Sequence, residues 1–314
     1  MMKKKLIAAA SLVTTAAALT LGGAYYGYRT AFSGDKRFHA PVRYVPDGAA
    51  FDPYREKMLD GIDRICELPF ERWTITSHDG LKLVGKFYEG EKGKPVVLFF
   101  HGYRSSAERD SSGGAQFCRE KGYSMLLVDQ RCHGESEGRT ITFGIQERQD
   151  CKRWAEEIVD RLGTDVKILL AGVSMGAATV LSASELDLPE QVKGIWADCG
   201  YATTADVLRH TARRWGWPEW PAYQLVKLGA RLYGGFSPEE CSPVEAVKHT
   251  DLPILLVQGT EDTMVPCEMA SEIQTACKGP VTLVTVRGAE HGISFYVDTP
   301  TYRAALEKFC ADIF

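Results

Sequence analysis

Six short apolar runs, set among helical stretches, constrain this chain more than any other feature. Val96–Phe100 carries no polar residue, the mark of a strand buried on both faces. Ser124–Val128, Val166–Ala171, Val192–Ala197, Pro253–Val257 and Val281–Val286 repeat the pattern. Helical stretches, such as Ser106–Lys121 and Thr142–Leu162, separate most of them. Strands alternating with helices predict an α/β fold, a mostly parallel sheet with helices on both faces. Ahead of these runs, Arg72–Ser77 and Leu81–Glu89 flank the turn signal His78-Asp79-Gly80 and predict a hairpin.

Two segments lie outside that rhythm. Residues 31–71 are irregular, with Pro41, Pro46, Pro53 and Pro69, and read as a linker plus a peripheral helix around Asp52–Ile65. Residues 201–250 are too long for a plain crossover and carry Trp215, Trp217, Trp220, Tyr223, Tyr233 and Phe236. Those aromatics fit either a helical excursion packed on the body or a small cap over a ligand pocket.

The first thirty residues form a separate segment. Lys3, Lys4 and Lys5 precede an uncharged run from Leu6 to Tyr28. A signal h-region needs about 7–15 residues and a membrane-spanning helix about 20, so the run suits an N-terminal signal-anchor better. Ala16-Ala17-Ala18 offers a cleavage pattern for the alternative, a secretory signal peptide. The lysines place the body outside the cytoplasm. Arg29, Lys36 and Arg37 pull the other way.

Composition removes several function classes. Lys plus Arg total 37 and Asp plus Glu 41, a net charge of −4, so charge gives no reason to expect a nucleic acid partner. Nine cysteines contain no C-x-x-C pair, which argues against a structural zinc site. Their odd number leaves a thiol unpaired and argues against a multi-disulfide scaffold.

Chemistry concentrates at Gly172-Val173-Ser174-Met175-Gly176, between a strand run and the helix-forming Ala177–Glu185. This is G-x-S-x-G in strand–turn–helix context, which lifts a serine oxygen clear of the sheet. Glycine is needed where so tight a bend brings backbones together. The Met175 N–H is left free at the helix N-terminus, aimed at the same point. A serine hydroxyl needs an adjacent base, and an imidazole suits that task at neutral pH. Of seven histidines only His291 follows the last strand run, on the sheet edge that carries Ser174. An acid must orient that imidazole. Asp262, just past a strand run, is favoured, with Glu261 and Asp198 as alternatives. The Tyr103 N–H, after His101-Gly102, is the candidate second oxyanion donor beside Met175. His101 itself reads as a residue that holds the loop by hydrogen bonds. No metal or organic cofactor is required.

Together these residues resemble the α/β-hydrolase superfamily from about Arg72 to the C-terminus. The matching patterns are His101-Gly102, the serine turn, the late Gly259, Asp262, Val265 and Pro266 with His291, and the loop Asp129–Ser136. That loop is similar to the family's D-x-R-G-x-G-x-S, with Cys132 where glycine is commoner. Cys132 beside His133 offers a thiol nucleophile as an alternative, but Ser174 at the strand-to-helix turn is far better placed. The resemblance implies an α/β-hydrolase domain over 72–314 with a short helical cap at about 201–250. Within the superfamily the chain looks like the bacterial, membrane-associated, serine-aminopeptidase-like hydrolases. It implies a Ser-His-Asp serine hydrolase that cleaves a small ester or thioester through an acyl-enzyme. A peptidase acting on a short peptide, and a non-catalytic binding module on the same fold, are the alternatives.

Overall fold

A computed structural model describes residues 2–314. The chain starts with a long helix, α1 (Met2–Ala31), then α2 (Arg55–Cys66). Next come β1 (Glu71–Thr76), β2 (Lys82–Tyr88), β3 (Val96–Phe100), α3 (Ala107–Glu120), β4 (Ser124–Asp129) and α4 (Glu147–Leu162). The middle comprises β5 (Ile168–Val173), α5 (Met175–Ala183), β6 (Val192–Asp198), α6 (Thr204–Arg214), α7 (Glu219–Gly229) and the short α8 (Pro243–Ala246). The remainder is β7 (Ile254–Gly259), α9 (Cys267–Ala276), β8 (Val281–Val286), α10 (Ser294–Val297) and α11 (Thr299–Ile313).

The strands form one eight-stranded sheet in the order β1-β2-β4-β3-β5-β6-β7-β8. The expected hairpin supplies the antiparallel edge, and β3 to β8 run parallel. The run at β3 is buried at every position because it lies mid-sheet. At the edge, β8 is open on one side and most of its residues stay partly exposed. Large apolar clusters fill both faces, one around Trp154 and Leu170 and another around Trp196 and Phe309.

Two expected boundaries move for local reasons. The helix predicted over Thr142–Leu162 begins only at Glu147. Phe143 (φ 56°) and Gly144 (φ 96°) are left-handed and cannot start a helix. The buried Glu147 carboxylate accepts the N–H groups of Thr142 (2.8 Å) and Gly144 (2.9 Å), which holds that turn. The strand predicted over Val166–Ala171 shifts to Ile168–Val173, so pairing continues up to the residue before Ser174.

Between β6 and β7, α6 and α7 stand over the C-terminal edge of the sheet. The last turns of α1 pack against α7. Gly23 faces Leu225, Gly27 faces the backbone of Val226, and Gly229 faces the Ala24 carbonyl, so the two helices meet backbone to backbone. The N-terminal segment is therefore not separate from the body: Ala24 and Gly27 are buried. Val244 and Val247, at the end of the predicted cap, belong instead to the main core beneath α5.

Candidate active site

Six parallel strands deliver their following loops to one edge, and strained backbone collects there. Arg104, Cys132, Phe143, Ser174 and Cys199 are the non-glycine residues with positive φ among those described. Strain of this kind gathers at functional sites when the surrounding fold enforces it. Cys132 adopts φ 71°, a conformation that suits the glycine commoner at its position.

Ser174 stands between β5 and α5 at φ 56°, ψ −116°. A Cβ on Gly172 would overlap the Gly176 backbone, and a Cβ on Gly176 would overlap the Phe100 carbonyl. Glycine at both places is what lets the turn close against β3. Ser174 Oγ lies 2.8 Å from His291 Nε2, and His291 Nδ1 lies 2.7 Å from Asp262 Oδ2. Their positions after strand runs put these residues on one edge, and the fold brings them into series.

Of the three candidate acids only Asp262 bonds to the imidazole. Its Oδ1 accepts the N–H groups of Met264 (2.9 Å) and Val265 (2.8 Å), and Gln258 Nε2 donates to Oδ2 at 2.9 Å. These fixed donors orient the carboxylate toward the imidazole. Glu261 is exposed. Asp198 is buried and accepts instead from Tyr302 Oη at 2.9 Å. Its other oxygen has no partner among the described residues, and burial pushes its pKa up to about 7. At His291 burial lowers the pKa, but the charge and hydrogen bond of Asp262, helped by Asp198 and Asp110, outweigh it and the net shift is upward.

The loop after β3 lies directly against the serine, since a Cβ on Gly102 would meet Ser174 Cβ at 3.4 Å. Asp110 of α3 holds this loop by accepting the Gly102 N–H (2.6 Å) and the Ser105 hydroxyl (2.7 Å). Nothing in the sequence singled Asp110 out. The N–H groups of Tyr103 and Met175 have no acceptor among the described residues. His101 Nδ1 bonds to the Gly102 carbonyl at 2.7 Å and Nε2 accepts the Gln130 N–H at 3.2 Å, so its ring supports the loop.

Cys199 was also invisible to sequence reasoning. Its Sγ lies 4.0 Å from His291 Nε2, and burial raises its pKa well above the ordinary thiol value. Cys199, Asp262 and His291 offer three ligand atoms within 4.8 Å of one another. The Asp262 oxygen and both imidazole nitrogens are already committed to the series above, so a cation would have to break it.

Ser174 and His291 border a cavity of about 210 Å³. Its walls are mainly apolar and come from Tyr103, Phe143 and Tyr201 of the body and Trp215, Trp217 and Tyr223 of the α6–α7 region. Thr30 and Ala31, the end of α1, complete the wall. The reading of residues 201–250 as pocket-forming therefore accounts for three of the predicted aromatics, whereas Trp220 and Tyr233 are exposed and Phe236 is buried.

Residues 91–212 match a hydrolase family model described as "Serine aminopeptidase, S33", and residues 236–312 match an α/β-hydrolase model described as "TAP-like protein". The chain belongs to the α/β-hydrolase superfamily. Among curated relatives of this superfamily member is the uncharacterized protein YqkD of Bacillus subtilis (strain 168), 26% identical over 60% of this chain and 62% of its own length. Thiohydrolase aneE of Aspergillus aculeatus is 32% identical over 35% of each chain. The matches thus span less than two thirds of either relative. The α/β-hydrolase fold itself is shared with the Pyrococcus furiosus esterase Pf2001, at a TM-score of 0.65 and 22% identity, covering 88% of this chain and 97% of that one.

Proposed function

We propose that the protein is a serine hydrolase that cleaves a carboxylic ester or thioester through an acyl-enzyme. The observation that carries this reading is the series Ser174 Oγ, His291 Nε2, His291 Nδ1 and Asp262 Oδ2, with contacts of 2.8 and 2.7 Å. Ser174 Oγ bonds to the acyl carbon as its proton passes to His291 Nε2. The imidazolium, steadied by Asp262, returns that proton to the leaving oxygen or sulfur as the acyl bond breaks. His291 then takes a proton from water, whose oxygen attacks the acyl carbon, and Ser174 leaves with that proton. The N–H groups of Tyr103 and Met175 receive the oxyanion. The route uses side chains, backbone and water alone.

Esters are preferred to peptides because no Asp or Glu lines the cavity among the described residues. A peptide's α-ammonium group would be left there without a counter-charge. The name of the thiohydrolase relative agrees with an ester-like substrate. Residues 1–30 serve as a membrane anchor in this proposal, 31–71 as a linker with a peripheral helix, and 72–314 as the hydrolase domain with its cap within 201–250. The body lies outside the cytoplasm, following Lys3, Lys4 and Lys5.

A fluorophosphonate probe tests the assignment. Wild type should label covalently and Ser174→Ala should not, and equal labelling of the two would remove it. Turnover of activated esters against aminoacyl amides separates esterase from peptidase. Absence of turnover in both panels would favour a binding module.

A further inference from the structure

A second apolar cleft runs along the outer side of the site, between α1 and α7. Gly23, Tyr26, Pro218, Pro221 and Leu225 line it. Its inner wall is Trp217, Ala222 and Val226, and those same three residues line the cavity at Ser174. Only one layer of side chains therefore separates cleft from cavity. The Trp217 indole forms part of that layer, packed between Tyr26 (6.1 Å between ring centres) and Trp215 (5.6 Å).

The position of the cleft along α1 suggests what fills it. The helix is long and apolar enough to cross a membrane. Residues 2–22 make about 31 Å of helix at 1.5 Å per residue, close to the hydrocarbon thickness of a bilayer. Leu6, Ile7, Leu12, Val13 and Leu19 on that stretch are exposed. A Cβ on Gly22 would meet nothing within 4 Å, whereas one on Gly23 would meet Leu225 of α7, so the cleft opens close to where the span ends. Tyr25, Tyr26 and Trp220 are exposed around it, the residue types that settle at a membrane interface.

We propose that this cleft is the entrance by which the acyl chain of a membrane-resident ester passes Trp217 to reach Ser174. The proposal rests on the serine hydrolase reading and narrows its substrate to lipids and other amphiphilic esters held in the bilayer. Water-soluble esters reach Ser174 without the cleft. The α1 helix is then part of the binding apparatus as well as an anchor.

The test uses the full chain in phosphatidylcholine vesicles and a fluorophosphonate with a hexadecyl chain bearing a diazirine near its end. After attachment and illumination, cross-links should map to peptides containing Tyr26, Pro218 or Leu225. Attachment at Ser174 with cross-links confined to other walls, such as Leu208 or Met264, would overturn the entrance while leaving the hydrolase reading intact. Failure to attach at Ser174 would sink the hydrolase reading, and the entrance with it. As an independent measurement, Leu225→Trp fills the cleft from its outer side. Turnover of a palmitate ester in the vesicles should fall about tenfold relative to an acetate ester, the effect of losing roughly two buried methylenes' worth of binding. An unchanged ratio in protein that still labels would overturn the proposal.

Discussion

Tyr103 is tied to the end of α1: its Oη donates a hydrogen bond to the Ala31 carbonyl at 2.9 Å and lies 3.2 Å from the Thr30 carbonyl. Arg104 Nη2 donates to Thr30 and Ser33 carbonyls at 3.0 and 3.3 Å. The last carbonyls of a helix have no partner within it, so these side chains cap α1. The loop proposed to hold the oxyanion is thereby fastened to the N-terminal helix. Tyr103→Phe keeps the ring and the backbone N–H but loses the cap. It should lower stability by about 1 kcal/mol, read from the denaturation midpoint of the full chain in detergent. Its loss of ester turnover should fall well short of the 10²–10³-fold, roughly, that follows removal of an oxyanion donor.

The proposed mechanism needs His291 neutral, and its surroundings raise its pKa above 6.5. The acid limb of kcat/KM should therefore bend above pH 6.5. Asp262→Asn removes the main upward influence and leaves burial, which acts downward. The bend should move to lower pH, and the plateau should drop by about 10⁴, as when a triad acid becomes an amide. Rate profiles of wild type and D262N against an activated ester check both. A bend that stays in place would separate His291 from the base.

How much of this was readable from sequence depended on how local each cause is. Val96–Phe100 announces a mid-sheet strand by composition alone, and Gly172 and Gly176 announce the tight turn around Ser174. The choice between Asp262 and Asp198 was not local, since both leave a strand on the same edge. In the fold the Met264 and Val265 N–H groups hold one carboxylate beside His291, and Tyr302, distant in sequence, takes the other. The role of α1 was hidden for the same reason. Gly23 and Gly27 look like interruptions of an apolar run until Leu225 and the backbone of Val226 are set against them. The late start of α4 depends on a Glu147 carboxylate reaching back to Thr142 and Gly144, a pattern that helical periodicity does not register.

Asp198 sits close enough to the series to help raise the His291 pKa, yet burial lifts its own pKa from 3.8 to about 7. The folded chain holds this proton after the unfolded chain has released it. Stability from this group therefore falls as pH rises between about 4 and 7 and stays low above that window. Asp198→Asn keeps an oxygen for Tyr302 and carries no charge. The Tm difference, variant minus wild type, should grow in the variant's favour from pH 4 to pH 7. A difference that does not change with pH would mean that Asp198 is not held protonated.

His39 has the opposite sign. Its ring packs 4.5 Å from that of His133, which in turn packs 4.6 Å from His101, so three imidazoles meet behind the loop after β3. Burial, together with the charges of Arg104, His101 and Lys36, lowers the His39 pKa to about 4 against the weaker pull of Asp35. Burial also lowers the His133 pKa well below the ordinary imidazole value, and its Nε2 accepts the Arg104 N–H at 3.0 Å, which a proton there would prevent. Between pH 6.5 and about 4 the unfolded chain takes up protons that the folded chain refuses, so stability is lost as pH falls through that window. The Nε2 atom of His39 is buried without a partner among the described residues, so His39→Phe gives up no hydrogen bond seen at that atom. The Tm of wild type relative to that of H39F should drop between pH 7 and pH 4.5. Parallel Tm curves for the two would show that the His39 ring does not resist protonation.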